Sequence, residues 1–247
     1  MQFDQSSSSG WHQRYLAGEM VSVWKEISPH HLLELDDARR LDAEAVLKET
    51  SARIVHDVEL IADRLVSLGY KPFATLYVPA DTRSRENAVA LNKLLDIPHS
   101  LRAFYDSVKE INFMGDLEGL SFHLEPDSPD PRYSEIKSDP IVVGSAASVI
   151  REIEDGVEDG EFTVPPSEQI VLSLSPDTCH KHGYSGGDPL GILVPNARID
   201  GTWNDPSMMF IDYLRFSLVS WGGFPGLRHM AVAPPVLKYL CEGLVAF

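Results

Sequence analysis

Cysteine is scarce in this chain: Cys179 and Cys241 are the only two in 247 residues, and no C-x-x-C pair occurs. That excludes a disulfide framework, a cysteine-rich zinc site and a thioredoxin-like redox centre, and it fits reduced thiols in the cytoplasm. Long apolar runs are missing too. No stretch approaches the roughly 18 apolar residues of a membrane span, and the opening MQFDQSSSSG lacks the basic region and apolar stretch of a signal peptide. Positive charge is the third shortage. With 21 Lys and Arg against 37 Asp and Glu, the formal charge is −16, which repels phosphate backbones and argues against DNA or RNA as ligands. The same excess suits a basic protein partner, or simply serves solubility.

What is present is enough to bury a sizeable core, since 43% of residues are hydrophobic. Residues 1–10 form a Ser-rich leader, expected to be disordered and set apart from the fold. Residues 11–70 read as a helical N-terminal extension. Tyr15, Leu16, Met20, Val23, Trp24 and Ile27 recur at helical spacing. Leu47, Ser51, Ile54, Val58, Ile61, Leu65 and Leu68 then step by fours and threes along one long helix. Gly69 is its expected left-handed stop. Glu49 to Arg53 and Arg53 to Asp57 are opposite charges four apart, and His56 reads as a structural or solvated side chain.

Residues 71–247 read as an α+β domain packed with the extension as one unit. Phe73 to Val78, between Pro72 and Pro79, predicts a strand. Helices are predicted from Ser84 and from Pro98, the second carrying Leu101, Phe104, Tyr105 and Val108. The runs GLSFHL, PIVVG, QIVLSL and LGILVP predict a small, mainly antiparallel sheet. A helix is expected from Ser145 to Ile153, followed by an acidic surface loop from Glu154 to Glu161. Asp205, Pro206 and Ser207 mark the start of a final helix bearing Ile211, Leu214, Leu218 and Trp221, with Gly222 and Gly223 as its stop and Phe224 folded back on the core.

Candidate chemistry concentrates between Ser173 and Leu227. Gly183 to Gly187 matches G-x-S-x-G around Ser185, but Pro189 obstructs the helix that a serine nucleophile would need next. The Gly186-Gly187 pair lacks the Lys-Ser/Thr and the helix of a phosphate loop, which disfavours nucleotides. His180 and His182 would face one side if extended and could then share a metal, with Asp177, Cys179 and Asp188 close in sequence. Pro176 and Gly183 instead favour a loop. The binding candidates are therefore Asp177, His180, His182, Tyr184 and Asp188. No catalytic set and no cofactor are assigned, and the metal reading rests on His180 and His182 alone.

The segment IPHSLRAFYDSVKEINFMG, through Pro98, Leu101, Phe104, Tyr105, Ile111, Asn112 and Phe113, resembles the helix-to-sheet passage of the SMI1/KNR4-like, or SUKH, superfamily. Asp139-Pro140-Ile141-Val142-Val143 followed by the helix from Ser145 looks like a strand-helix step of that fold. The pattern SPD..HK...SGG.P.GI, followed by DYLR and WGGFPG, is similar to a bacterial branch of it. The resemblance spans about Ile97 to Leu227. It implies a non-enzymatic protein-binding module, such as an immunity protein that occludes a basic toxin domain; the N-terminal helices lie outside the resemblance and are candidates for a homodimer contact. The alternative is a metal-dependent hydrolase using the His180/His182 loop.

Overall fold

A helix of 31 residues, α3 (Asp37–Ser67), is the longest element among the described residues, and elements from both ends of the chain pack on it. Asp36 starts it, its carboxylate accepting the Arg39 N–H at 2.9 Å. Gly69 follows its end at φ +78°. The computed structural model describes residues 10–116, 138–161, 163–183, 187–205, 207–230 and 232–247. The buried stripe of α3 is the predicted one, widened by Ala43, Val46, Thr50 and Asp57.

Two short helices, α1 (Trp11–Leu16) and α2 (Met20–Ile27), lie across the first half of α3, parted by Gly18 at φ +104°. Tyr15, Val23, Trp24 and Ile27 are buried there. Their polar tips are satisfied in a chain: the Trp24 indole donates to Thr50 Oγ1 at 3.1 Å, and Thr50 donates to the Tyr15 hydroxyl at 2.9 Å.

The strand expected from Phe73 to Val78 is two strands. β1 (Lys71–Pro72) and β2 (Tyr77–Pro79) pair with different partners, so the residues between them cross from one sheet to another. Two helices follow, α4 (Thr82–Leu95) and α5 (His99–Ser107). α4 begins two residues before Ser84, because Asp81 and Ser84 form a reciprocal capping box. Pro98 is the N-cap of α5 rather than part of its first turn. β3 (Val108–Asn112) and β4 (Gly115–Asp116) complete the pairs β2-β3 and β1-β4, and β5 (Val142–Val143) joins the other side of β3. The predicted strand GLSFHL lies outside the described residues.

Helix α6 (Ala146–Glu158) is capped by Ser145, whose Oγ accepts the Ser148 N–H at 3.2 Å. It runs past the predicted end at Ile153 and takes up most of the expected acidic loop. Glutamate is a good helix former, Gly156 lies on the buried face, and the left-handed turn comes only at Gly160, φ +74°. A four-stranded antiparallel meander follows: β6 (Ile170–Ser175), β7 (Leu190–Val194), β8 (Thr202–Trp203) and β9 (Met208–Met209). The described strands thus form three small antiparallel sheets rather than one. Asp205 and Ser207 lie in the β8–β9 turn, and α7 (Phe210–Arg215) starts after it and runs on as a π-helical turn, Phe216–Ser220. Gly222 and Gly223 end it at φ +55° and +89°, and Phe224 is fully buried, as predicted. A further helix, α8 (Pro235–Cys241), packs on α3 and was not foreseen.

The architecture is α+β, with one continuous apolar core running from Tyr15 to Phe247 through helices and sheets alike. Among the described residues no helix is long and apolar enough to cross a membrane. The α2, α5 and α7 regions converge on residues 198–201. Ile199 N–H donates to His30 C=O at 2.8 Å, Ser100 N–H to Ile199 C=O at 2.8 Å, and Phe210 N–H to Gly201 C=O at 2.8 Å. The Asp200 carboxylate sits at the centre, accepting Ser100 Oγ–H at 2.7 Å, Gly201 N–H at 2.9 Å and Ile211 N–H at 3.3 Å.

Burial pushes the Asp200 carboxyl up to about 7, against the pull of those three donors. The unfolded chain titrates this group near 3.9. The folded state therefore holds the proton more tightly, and its stabilising contribution is complete below pH ~4 and lost as pH rises through ~7. Unfolding free energy measured from pH 4 to 7 should fall in wild type by up to about 4 kcal/mol more than in Asp200→Asn; equal slopes would contradict this.

A Cβ at Gly223 would lie 2.3 Å from Phe113 Cδ2, whereas one at Gly69 meets nothing within 4 Å. Gly69→Ala should cost about 1 kcal/mol for the left-handed backbone alone, and Gly223→Ala about 3 kcal/mol or more. Denaturant midpoints compare the two.

Candidate functional site

The sequence between β6 and β7 holds all five predicted binding residues, and the conformation of its first part, residues 177–183, is set at Asp177. That carboxylate, 8% exposed, accepts the N–H of Cys179 at 2.7 Å and of His180 at 3.3 Å. It thereby opens a 3-10 turn over His180–His182, which Gly183 closes at φ +78°. The turn changes the expected use of the H-x-H pair. In a 3-10 helix successive positions rotate by about 120°, so positions 180 and 182 do not share a face as they would in a strand.

Asp177 and His180 are brought together, with a short contact between Asp177 Oδ2 and His180 Nδ1. Burial opposes the Asp177 charge, but the bonds from the His180 ring and the two backbone N–H groups prevail and hold the carboxyl below its usual range. The pair orients a half-exposed imidazole with Nε2 directed away from the carboxylate. Asp188 is exposed just before β7. Tyr184, Ser185 and the His182 side chain lie outside the described residues. Among the described residues no group of three or more His, Cys, Asp and Glu side chains is placed to hold a metal ion.

The residue between the histidines, which the spacing analysis passed over, anchors the loop. The Lys181 side chain is fully buried, and Nζ meets Asp139 Oδ1 at 2.7 Å. Asp139 itself is in the left-handed region at φ +42°. Beside this pair stands Tyr213, stacked on Trp203 with ring centroids 4.0 Å apart. Its phenol is raised well above the ordinary range by burial and then by the Asp139 charge. Tyr213 Oη and Ser217 Oγ are buried without a hydrogen-bond partner among the described residues. No spacing rule links Lys181 to an aspartate 42 positions away. The sequence signal was only a lysine in a stretch otherwise rich in turn formers.

The loop is thus a pinned polar turn that presents His180 to solvent. No protein family, curated protein or solved structure matches the chain. Its function has to be read from its own chemistry.

Removing one member of a buried ion pair strands the other charge. Lys181→Ala should therefore lose about 3 kcal/mol of unfolding free energy, while Lys181→Met with Asp139→Asn, which leaves no buried charge, should recover at least half of it. Urea unfolding of the three proteins decides, and equal losses in both variants would show that the pair contributes only packing.

Proposed function

We propose that this chain is a non-catalytic binding protein of SUKH type that occludes a cationic protein partner, such as a toxin domain. The observation that carries the reading is the outer end of α6. Glu152, Glu154, Asp155, Glu158, Asp159 and Glu161 are all exposed. No basic residue lies in the last turn, and none of the six makes an ion pair among the described residues. A helix C-terminus already carries about half a negative charge, so these carboxylates repel it and one another. The free protein bears that repulsion, and a cationic surface seated against it would relieve it.

The chain-wide charge of −16 supports the same reading, because it steers basic partners from a distance. The loop at Asp177 supports it in another way. Its buried charges hold the loop's shape, and its outward face offers one oriented imidazole suited to hydrogen bonding at an interface.

Capture from the cell of origin on the immobilised full chain should retain a basic protein. Its association rate should fall roughly tenfold or more between low and physiological salt, with dissociation little changed. Glu154→Gln, Asp155→Asn, Glu158→Gln and Asp159→Asn together should slow association and raise the thermal midpoint of the free protein. A neutral or acidic partner, or association indifferent to salt, would refute the reading.

A further inference from the structure

We propose that the groove between α3 and the β1–β2 segment seats an extended stretch of the protein partner, one that carries a lysine or arginine two positions from an apolar side chain. This rests on the reading above and names where and how the partner is held. The groove has a volume of about 510 Å3. Ala62, Leu76 and Tyr77 line it more deeply, and Glu59, Asp63 and Val66 line it as exposed side chains.

Three independent features select the occupant. The first is charge. Glu59 and Asp63 are exposed, four apart on one helix, and neither has an ion pair among the described residues, so each repels the other. Glu59 is also near enough to Tyr77 to reinforce the rise that burial imposes on its phenol. A cation laid between the two carboxylates satisfies both.

The second feature is apolar exposure. Val66 is 63% exposed, and Phe73, which follows the groove-lining Pro72, is 68% exposed. A large aromatic left in water beside an apolar groove is the composition of an interface anchor. Phe73 is held there by its backbone, whose N–H donates to Met114 C=O at 3.0 Å.

The third is the strand edge. β2 is the outer strand in the order β2-β3-β5. Leu76 C=O accepts the Asn112 N–H at 2.9 Å, so the alternation of an antiparallel ladder turns the Tyr77 N–H and C=O away from β3. Those groups suit main-chain pairing with an extended segment. In such a segment residues two apart share a face, about 6.8 Å from one another, so a cation can meet the carboxylates while its i+2 neighbour enters the apolar lining.

The test titrates isotope-labelled full-length protein with a blocked nonapeptide in which serine alternates with lysine or leucine, beside a control peptide with glutamate in place of lysine. Amide shifts should move at Ala62, Val66, Thr75 and Tyr77, and the control should not bind. Glu59→Gln with Asp63→Asn should weaken binding roughly fivefold and Phe73→Ser roughly tenfold. The four-site α6 variant should stay within about twofold at physiological salt. All the substituted side chains are exposed, and thermal midpoints verify that the variants fold. Shifts confined to another surface, or affinity unchanged by the groove substitutions, would overturn the groove as the seat while a cationic captured partner still upheld the general reading. A filled groove with no cationic partner captured would do the reverse.

Discussion

A fully buried carboxylate, Asp200, ties together at one point parts of the chain that lie far apart in sequence. It lies between the first residues of α5 and of α7, and the backbone beside it bonds to His30 behind α2. Helices from the first 110 residues and the meander after residue 170 are thereby locked into one core. Burying a charge without partners is costly, and the three donors around Asp200 offset only part of that cost, which is why its proton is held up to about neutral pH. The fold accepts an electrostatic liability at its centre in return for fixing three elements at one point.

A second closure acts at the far side of α3. The segment after α8 returns along that helix and is held by side chains rather than by strand pairing. Arg53 donates to Ala246 C=O at 2.8 Å, Arg64 to Leu240 C=O at 3.0 Å, and Asp57 accepts the Val245 N–H at 2.8 Å. Arg215 reaches Phe247 C=O, and the Phe247 ring is fully buried. Burial raises the Asp57 carboxyl, and its Oδ2 has no partner among the described residues. Its position inside the apolar stripe follows from the returning chain, not from the helix's own periodicity.

Local rules made much of this legible, and tertiary competition hid the rest. The long helix, its stop at Gly69 and the Gly222-Gly223 terminus follow from periodicity and backbone sterics. The Glu49–Arg53 pair forms as spacing suggests, at 2.8 Å. The expected Arg53–Asp57 pair does not, because both side chains turn to the segment at 245–246. The split strand at 71–79 was illegible because alternation says nothing about a change of partner. α8 carries its own signal in Pro235, because proline at a first helical position is pre-organised for a helix. For the candidate loop, the histidines and the turn formers around them are visible in the sequence, but their local geometry is not. The H-x-H pattern pointed to the wrong geometry, because Asp177 captures the two following N–H groups and winds the backbone.

The distribution of charge joins these closures to the proposed function. The chain has few basic side chains, and several are committed to holding it together. Arg14 pairs with Glu19 and Glu26, Lys181 is buried on Asp139, and Arg53, Arg64 and Arg215 grip backbone carbonyls. Lys181 and Arg64 in particular spend their charge inside the fold and not on an exposed carboxylate. The acids on α6 and on the rim of the α3 groove make no ion pair among the described residues. Substituting the fastening residues would therefore lower stability, whereas neutralising the α6 carboxylates weakens the surface field while raising stability. That difference in sign lets charge-driven recognition be measured apart from folding in this protein.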